Sequence, residues 1–348
     1  MKKVWTSIKY YIFLAVGVLL LYLVFKDVDF KRMWLEIKGA DFKWIGLSFF
    51  CGFIALISRS IRWQLILEPL GYTPSFLRCF YGVNIGYLAN IGFPRMGEII
   101  RCTILNRSDN IPISKLIGTV ILERVIDVVI LLSLIITVVF AEFDHFGKFF
   151  IEFFSSKLHP IYLKIISFGW IIYPITLILL ALIFYIGRRI FNNIKETSFV
   201  IKIKKFILEI GDGFNTLFKM KKRRQFILHT IFIWINYFLM TWVCFFAYEP
   251  TRGLKMIDGL FMTVVGGLGM SAPVQGGFGA YHFMVEKALM LFDIVPSIDK
   301  VSGKEFRPGL VYATIVHSTQ LILIIIVGTL SLLAFYFVKR KANETAQH

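Results

Sequence analysis

The sequence predicts an all-α polytopic membrane protein with about six full transmembrane helices and two opposed re-entrant broken hairpins, the pattern of an inverted repeat. Three observations predict it. Hydrophobic residues make up 57% of the 348 and charged residues only 18%, where soluble domains carry roughly 25% charged; mean hydropathy is +0.71. Six apolar runs approach or exceed the roughly 20 residues that span hydrocarbon. Two further apolar runs are interrupted by Gly and Pro, one in each half of the chain. Together these exclude a soluble globular enzyme and a disordered chain.

In chain order, Ile8–Phe25 is the first span. Lys2 and Lys3 precede it, and no small-residue cleavage site follows, so it reads as an uncleaved helix rather than a signal peptide. Trp44–Ile61 is the second, ending in Arg59, Arg62 and Trp63. Leu77–Leu105 is the first broken run, interrupted by Gly92-Phe93-Pro94-Arg95-Met96-Gly97-Glu98. Ile117–Phe140 is the third span, although it holds Glu123, Arg124 and Asp127, and Ile165–Ile186 is the fourth. The connection 187–225 is basic. Within it Phe199, Ile203, Phe206, Ile207 and Ile210 recur at helical spacing beside Lys202, Lys204 and Lys205, which predicts a helix lying in the cytoplasmic interface. Phe226–Tyr248 is the fifth span. Ile257–Leu291 is the second broken run, interrupted at Gly266-Gly267 and again at Pro273-Val274-Gln275-Gly276-Gly277-Phe278-Gly279. Leu310–Val338 is the sixth span. Proline removes an amide donor and glycine loosens the backbone, so neither broken run reads as one clean helix. The chain is expected to be one transmembrane domain over 1–341 with a polar tail at 342–348; no connection is long enough for a second core.

The formal charge is +17, from 39 Lys+Arg against 22 Asp+Glu. The hydropathy argues against nucleic acid as the partner, and the cations read as cytoplasmic loops beside anionic lipid. The N-terminus, the segment around Arg59–Arg62, 187–225 and Lys339-Arg340-Lys341 are then cytoplasmic, while 141–162 and 249–256 face out. Both termini lie inside, and the expected location is a bacterial or archaeal inner membrane. This scheme closes if Leu77–Leu105 returns to the cytoplasm and Ile257–Leu291 returns to the outside. Two full crossings by bent helices also keep both termini inside, but separate Arg59–Arg62 from Glu98–Arg107, which fits the charge rule less well. Cys51, Cys79, Cys102 and Cys244 form no CxxC pair and read as small core residues.

Three constellations can carry chemistry. In Asn84-x-x-Tyr87-x-x-Asn90-x-x-Phe93-Pro94-Arg95-x-Gly97-Glu98-x-x-Arg101, polar residues recur on one broad helix face inside an apolar run. A broken helix there exposes amide donors and a positive dipole end. Arg95 and Arg101 suit phosphate oxygens, with Glu98 orienting Arg101. An ordinary solvated loop is the competing reading. In Glu123-Arg124-x-x-Asp127, three ionisable groups sit mid-span, where charge is costly and defaults to function. The carboxylates need cations from elsewhere, supplied by Arg59, Arg62, Arg95 and Arg101; a self-neutralised packing network is the alternative. In Gln275-Gly276-Gly277-Phe278-Gly279-Ala280-Tyr281-His282-x-x-x-Glu286, backbone amides ahead of a helix can face an anion, and Glu286 is placed to pair with His282. Glycine-mediated helix packing weighs equally. His317, Ser318, Thr319 and Gln320 read as interhelical glue.

These runs, together with Arg59-x-x-Arg62-Trp63, Gly86-Tyr87 and Pro273-x-x-Gly276-Gly277-x-Gly279, resemble the lysylphosphatidylglycerol synthase transmembrane (flippase-like) family over residues 8–335. The resemblance implies movement of phospholipid or polyprenyl-linked lipid between leaflets. It also implies that the soluble aminoacyl-transferase domain of the synthases is not expected here, because the chain ends soon after Lys341. The expected function is a non-enzymatic lipid flippase. Its partners would be a lipid with a phosphate headgroup and anionic lipid at the cytoplasmic surface, with no cofactor and no metal. Arg59, Arg62, Asn90, Arg95, Glu98, Arg101, Glu123, Arg124, Asp127, Gln275, Gly276, Gly277, Gly279, Tyr281 and His282 would bind the substrate. A membrane-embedded transferase acting on lipid phosphate, or an accessory subunit of a lipid-modifying synthase, are the alternatives.

Overall fold

The computed structural model describes residues 18–93, 95–141, 220–298 and 304–345, with Ala15, Phe146 and Phe149. The expected fourth span Ile165–Ile186, the interfacial helix near 199–218 and most of the first span lie outside the described residues; of the first span, 18–25 is helical.

Among the described residues nine α-helices follow: α1 (Phe30–Lys38), α2 (Phe42–Leu67), α3 (Phe76–Gly92), α4 (Gly97–Asp109), α5 (Ile113–Ala141), α6 (Arg223–Trp242), α7 (Met256–Met270), α8 (Ala280–Leu289) and α9 (Pro308–Thr345). Their starts are written locally. Asp29 caps α1 by accepting from the Lys31 and Arg32 amides, Asp41 caps α2 through the Lys43 amide, and Ser75 caps α3 through Arg78, each satisfying an otherwise orphaned donor. Four helical segments among the described residues are long and apolar enough to cross a bilayer: Phe42–Leu70, Ile113–Ala141, Arg223–Phe245 and Pro308–Val338. These are the predicted second, third, fifth and sixth spans.

Both broken runs fold as helical hairpins. α3 packs on α4 and α7 on α8, while α9 packs along both α3 and α8. The first break falls at 93–96, as predicted. The second falls at 271–279 only; Gly266 and Gly267 stay helical inside α7. Gly266 is instead a contact point: a Cβ there would stand 2.9 Å from the Tyr281 ring. Gly86 and Gly97 do the same for the first hairpin. A Cβ on Gly86 would meet the Gly97 carbonyl oxygen at 2.8 Å, and one on Gly97 would drive into the Gly86 carbonyl. These glycines serve close backbone approach.

The connections gather at two ends. At one, the Asp41 amide donates to Ala247 O (2.9 Å), the Asp29 amide to Glu305 O (3.1 Å), and Ser297–Ile298 pairs antiparallel with Glu305–Phe306. At the other, Lys222 Nζ meets Glu68 Oε2 at 3.0 Å and Arg78 meets Asp109 at 2.6 Å. The α3–α4 hairpin grows from the second end and the α7–α8 hairpin from the first. Their tips touch where Arg95 Nη2 donates to Ser271 O at 3.1 Å.

Candidate functional site

One departure from the sequence reading builds the site. α2 does not stop at Ile61 but runs to Leu67, so Arg59 and Arg62 are not a basic flank in solution. They are inside the bundle, 3% and 0% exposed. They are one helical turn apart and therefore share a face, and that face meets Glu123 and Asp127, which share a face of α5 at i,i+4.

Arg62 grips Asp127 with both terminal nitrogens, Nη1 to Oδ1 at 2.9 Å and Nη2 to Oδ2 at 3.3 Å. Arg59 Nη2 reaches the same carboxylate at 3.4 Å, and its Nη1 donates to the Tyr237 hydroxyl at 3.1 Å. Arg101, from α4, donates to Glu123 Oε2 at 2.5 Å, while Arg62 Nε stands 3.7 Å from Glu123 Oε1. Two rings face the guanidiniums: Tyr87 lies 5.5 Å from Arg59, and Trp63 lies 4.7 Å from Arg101, a favourable cation–π geometry. At the rim, Arg124 pairs with Glu98 (3.2 Å) and approaches Asp127 (3.8 Å). Exposure grades across the cluster, from 0% for the Arg62 and Glu123 side chains to 45% for Arg124.

Two pairings differ from expectation. Glu98 does not orient Arg101; it holds Arg124, and Arg101 goes to Glu123 across 22 positions of sequence. Arg95 does not join the cluster at all. It is exposed, takes a left-handed φ of +59° and donates to Ser271 O at the C-terminal end of α7, where helix carbonyls favour a cation. Without Arg95, four guanidiniums (Arg59, Arg62, Arg101, Arg124) face three carboxylates (Glu98, Glu123, Asp127), a surplus of one positive charge. Asn90 is also reassigned: its Oδ1 accepts from the Gly97 amide at 2.7 Å, capping α4 from the helix before it.

The cluster also holds unused hydrogen-bonding capacity. Arg59 Nε, Arg101 Nε and Glu98 Oε2 are buried without a partner. All three residues line a cavity of about 10 Å³, which also touches Tyr87 and Arg124 and has room for about one water-sized atom. Arg62 Nε and Glu123 Oε1, 3.7 Å apart, also lack hydrogen-bond partners, so the inner half is tied by ion pairs and the outer half, around the cavity, holds two unpartnered donors and one unpartnered acceptor.

The third constellation folds as a separate group. Gly276, Gly277 and Gly279 take φ of +52°, +75° and +78°, which side-chain-bearing residues rarely adopt, so their first role is to turn the chain. Gln275 is buried beside them. His317 Nε2 lies 2.8 Å from Gly276 O and so carries the proton. Tyr281 and His282 are buried and pack on His317, with ring centroids 5.1 Å and 4.9 Å away. Glu286 does not pair with His282. It forms a two-point ion pair with Arg307, which also donates to Val24 O. The structure thus brings Arg59, Arg62, Glu98, Arg101, Glu123, Arg124 and Asp127 together, and leaves the Gln275–His282 group to the other hairpin. Sequence reasoning did not place Tyr237, Trp63 or Arg307. Tyr237, a hydroxyl in the middle of an apolar span, was the available signal for the first.

Comparison with known proteins supports an integral membrane protein. The chain is 23% identical over 304 residues to a UPF0104 membrane protein of Methanocaldococcus jannaschii, covering 82% of this chain and 86% of that one. It is 25% identical over 304 residues to a UPF0104 membrane protein of Pyrococcus horikoshii, covering 81% and 89%. No solved structure matches the chain. The family model for the lysylphosphatidylglycerol synthase transmembrane region matches residues 11–328, and the chain therefore belongs to that family of integral membrane proteins.

Proposed function

We propose that the protein moves a lipid with a phosphate headgroup, an anionic phospholipid or a polyprenyl-phosphate lipid, between the leaflets of a bacterial or archaeal inner membrane. The observation that carries this reading is the excess guanidinium charge at bilayer depth, with unpartnered donors on Arg59 and Arg101 behind a half-exposed Arg124–Glu98 rim. Glu123 stands ten residues into α5, about 15 Å from its start at the helical rise, near the middle of an about 30 Å hydrocarbon core. Charge is kept at that depth when it binds or moves something polar.

On this reading α3–α4 enters from the cytoplasm and α7–α8 from outside, as two inverted halves whose tips meet at Arg95 and Ser271, with both termini cytoplasmic. Arg62 and Glu123 hold the inner network rigid. Arg59, Arg101 and Arg124 receive phosphate oxygens, and Glu98 releases Arg124 as the headgroup arrives. The acyl chains stay in lipid while the headgroup passes between the hairpin tips, one half rocking on the other. Anionic lipid at the cytoplasmic face holds the basic connections, and no covalent chemistry is required.

Reconstitution tests this. The full chain in liposomes with a labelled anionic phospholipid should accelerate leaflet exchange. Arg124→Ala, at a half-exposed position that the fold tolerates, should reduce exchange about tenfold by losing one charge-assisted contact. Exchange unaffected by Arg124→Ala and Arg101→Ala refutes the assignment of the site. Headgroup conversion without exchange refutes the function.

A further inference from the structure

A second cleft lies at the end of the fold where Asp41 bonds Ala247. It measures about 420 Å³ and runs between the C-terminal half of α1 and the turn at 247–252, a volume in the range of small-ligand sites. Glu36, Asp41 and Glu249 line it against a single guanidinium, Arg252. Among the described residues none of these three carboxylates forms an ion pair; the Asp41 side chain accepts only the Lys43 amide. Tyr248, also on the cleft wall, is 2% exposed, and its hydroxyl has no hydrogen-bond partner. A buried phenol of this kind is ordinarily bonded. Burial first, with Glu36 and Glu249 adding to it and Arg32 opposing, pushes the phenol up, so its oxygen stays neutral and able to accept a donor.

We propose that this cleft binds an organic ammonium group, held by Glu36 and Glu249 and accepted by the Tyr248 hydroxyl. Three carboxylates against one guanidinium select a cation. Compact metal binding does not suit the geometry: among the described residues no three acidic, His or Cys side chains converge as metal ligands, whereas a divalent ion needs six or more oxygens close around it. The carboxylates are spread around a space that an extended amine can bridge. Leu35 on the cleft wall is 60% exposed, Phe30 and Trp34 on the same helix are 56% and 57% exposed, and Lys38 lies over the Trp34 ring at 5.3 Å. Such a helix suits the headgroup layer of a membrane, so the ammonium can come from a lipid headgroup or from a free amine. The inference stands apart from the translocation reading and from the arginine cluster.

Calorimetric titration of the full chain in non-ionic detergent decides it, with spermidine, short-chain phosphatidylethanolamine and short-chain phosphatidylglycerol as probes. At least one amine should bind, and phosphatidylglycerol should bind more weakly. Phosphatidylethanolamine alone identifies a lipid headgroup site, spermidine alone a free-amine site, and both a site for the shared ammonium. Glu36→Gln with Glu249→Gln should weaken amine binding about tenfold by removing charge-assisted bonds. Tyr248→Phe, which keeps the ring and its packing, should weaken it severalfold and decides the matter if the double variant does not fold. Failure of both amines to bind overturns the proposal, as does affinity unchanged in a folded double variant or, where that variant does not fold, in Tyr248→Phe.

Discussion

Glu123→Gln isolates the physics of the arginine cluster. The substitution keeps the side-chain shape and removes one negative charge at a point where the side chains of Glu123 and Arg62 are both 0% exposed. Glu123 is the acceptor for Arg101 at 2.5 Å and the nearest carboxylate to Arg62 Nε at 3.7 Å. Its neutral replacement leaves four guanidiniums facing two carboxylates, Glu98 and Asp127, around an inner position closed to bulk solvent. Removing one partner of a buried pair costs about 3–5 kcal/mol. The rim provides the control. Arg124 and Glu98 are 45% and 28% exposed, and an exposed pair is worth at most about 1 kcal/mol. Unfolding of the purified chain in detergent, followed by tryptophan fluorescence, should therefore separate Glu123→Gln from Arg124→Ala by at least about 2 kcal/mol on those two figures. Adding Arg101→Met to Glu123→Gln removes the stranded charge, so the pair should be less costly than the sum of the singles by more than about 0.5 kcal/mol. A Glu123→Gln variant no less stable than Arg124→Ala, or strict additivity with Arg101→Met, refutes the buried inner network.

Three further outcomes follow from the packing. Gly97→Ala should destabilise the first hairpin by about 1–3 kcal/mol, the usual range for overpacking, because the new methyl meets the Asn90 amide at 2.7 Å; Gly46→Ala, with nothing within 4 Å, is the matched control, and equal melting of the two would contradict the contact. Cys51, Cys79, Cys102 and Cys244 are all buried, so a thiol reagent should label the native chain only on unfolding, and rapid labelling of the folded protein would show those helices apart. A short bis-maleimide should bridge Arg95→Cys and Ser271→Cys across the 3.1 Å contact between the hairpin tips, and should not bridge Arg95→Cys to Ile298→Cys at the other end; the reverse pattern would separate the tips.

Much of this protein is legible in the chain alone because the bilayer imposes local rules. Span length is a property of consecutive residues, so α2, α5, α6 and α9 follow from apolar runs. Pro94 and the glycines at 276–279 act on their own backbone, so both breaks can be read directly. Charge inside an apolar run is costly wherever the helix goes, so Glu123, Arg124 and Asp127 mark themselves. What sequence could not supply is the choice among partners. Glu98 is three residues from Arg101 yet holds Arg124; Glu286 is one turn from His282 yet holds Arg307; Arg95 leaves the cluster for a carbonyl 176 positions away. Those outcomes depend on the rotation of each helix and on how closely glycines such as Gly86 and Gly97 let backbones approach. Both are set by packing between distant segments, and only the folded chain decides them.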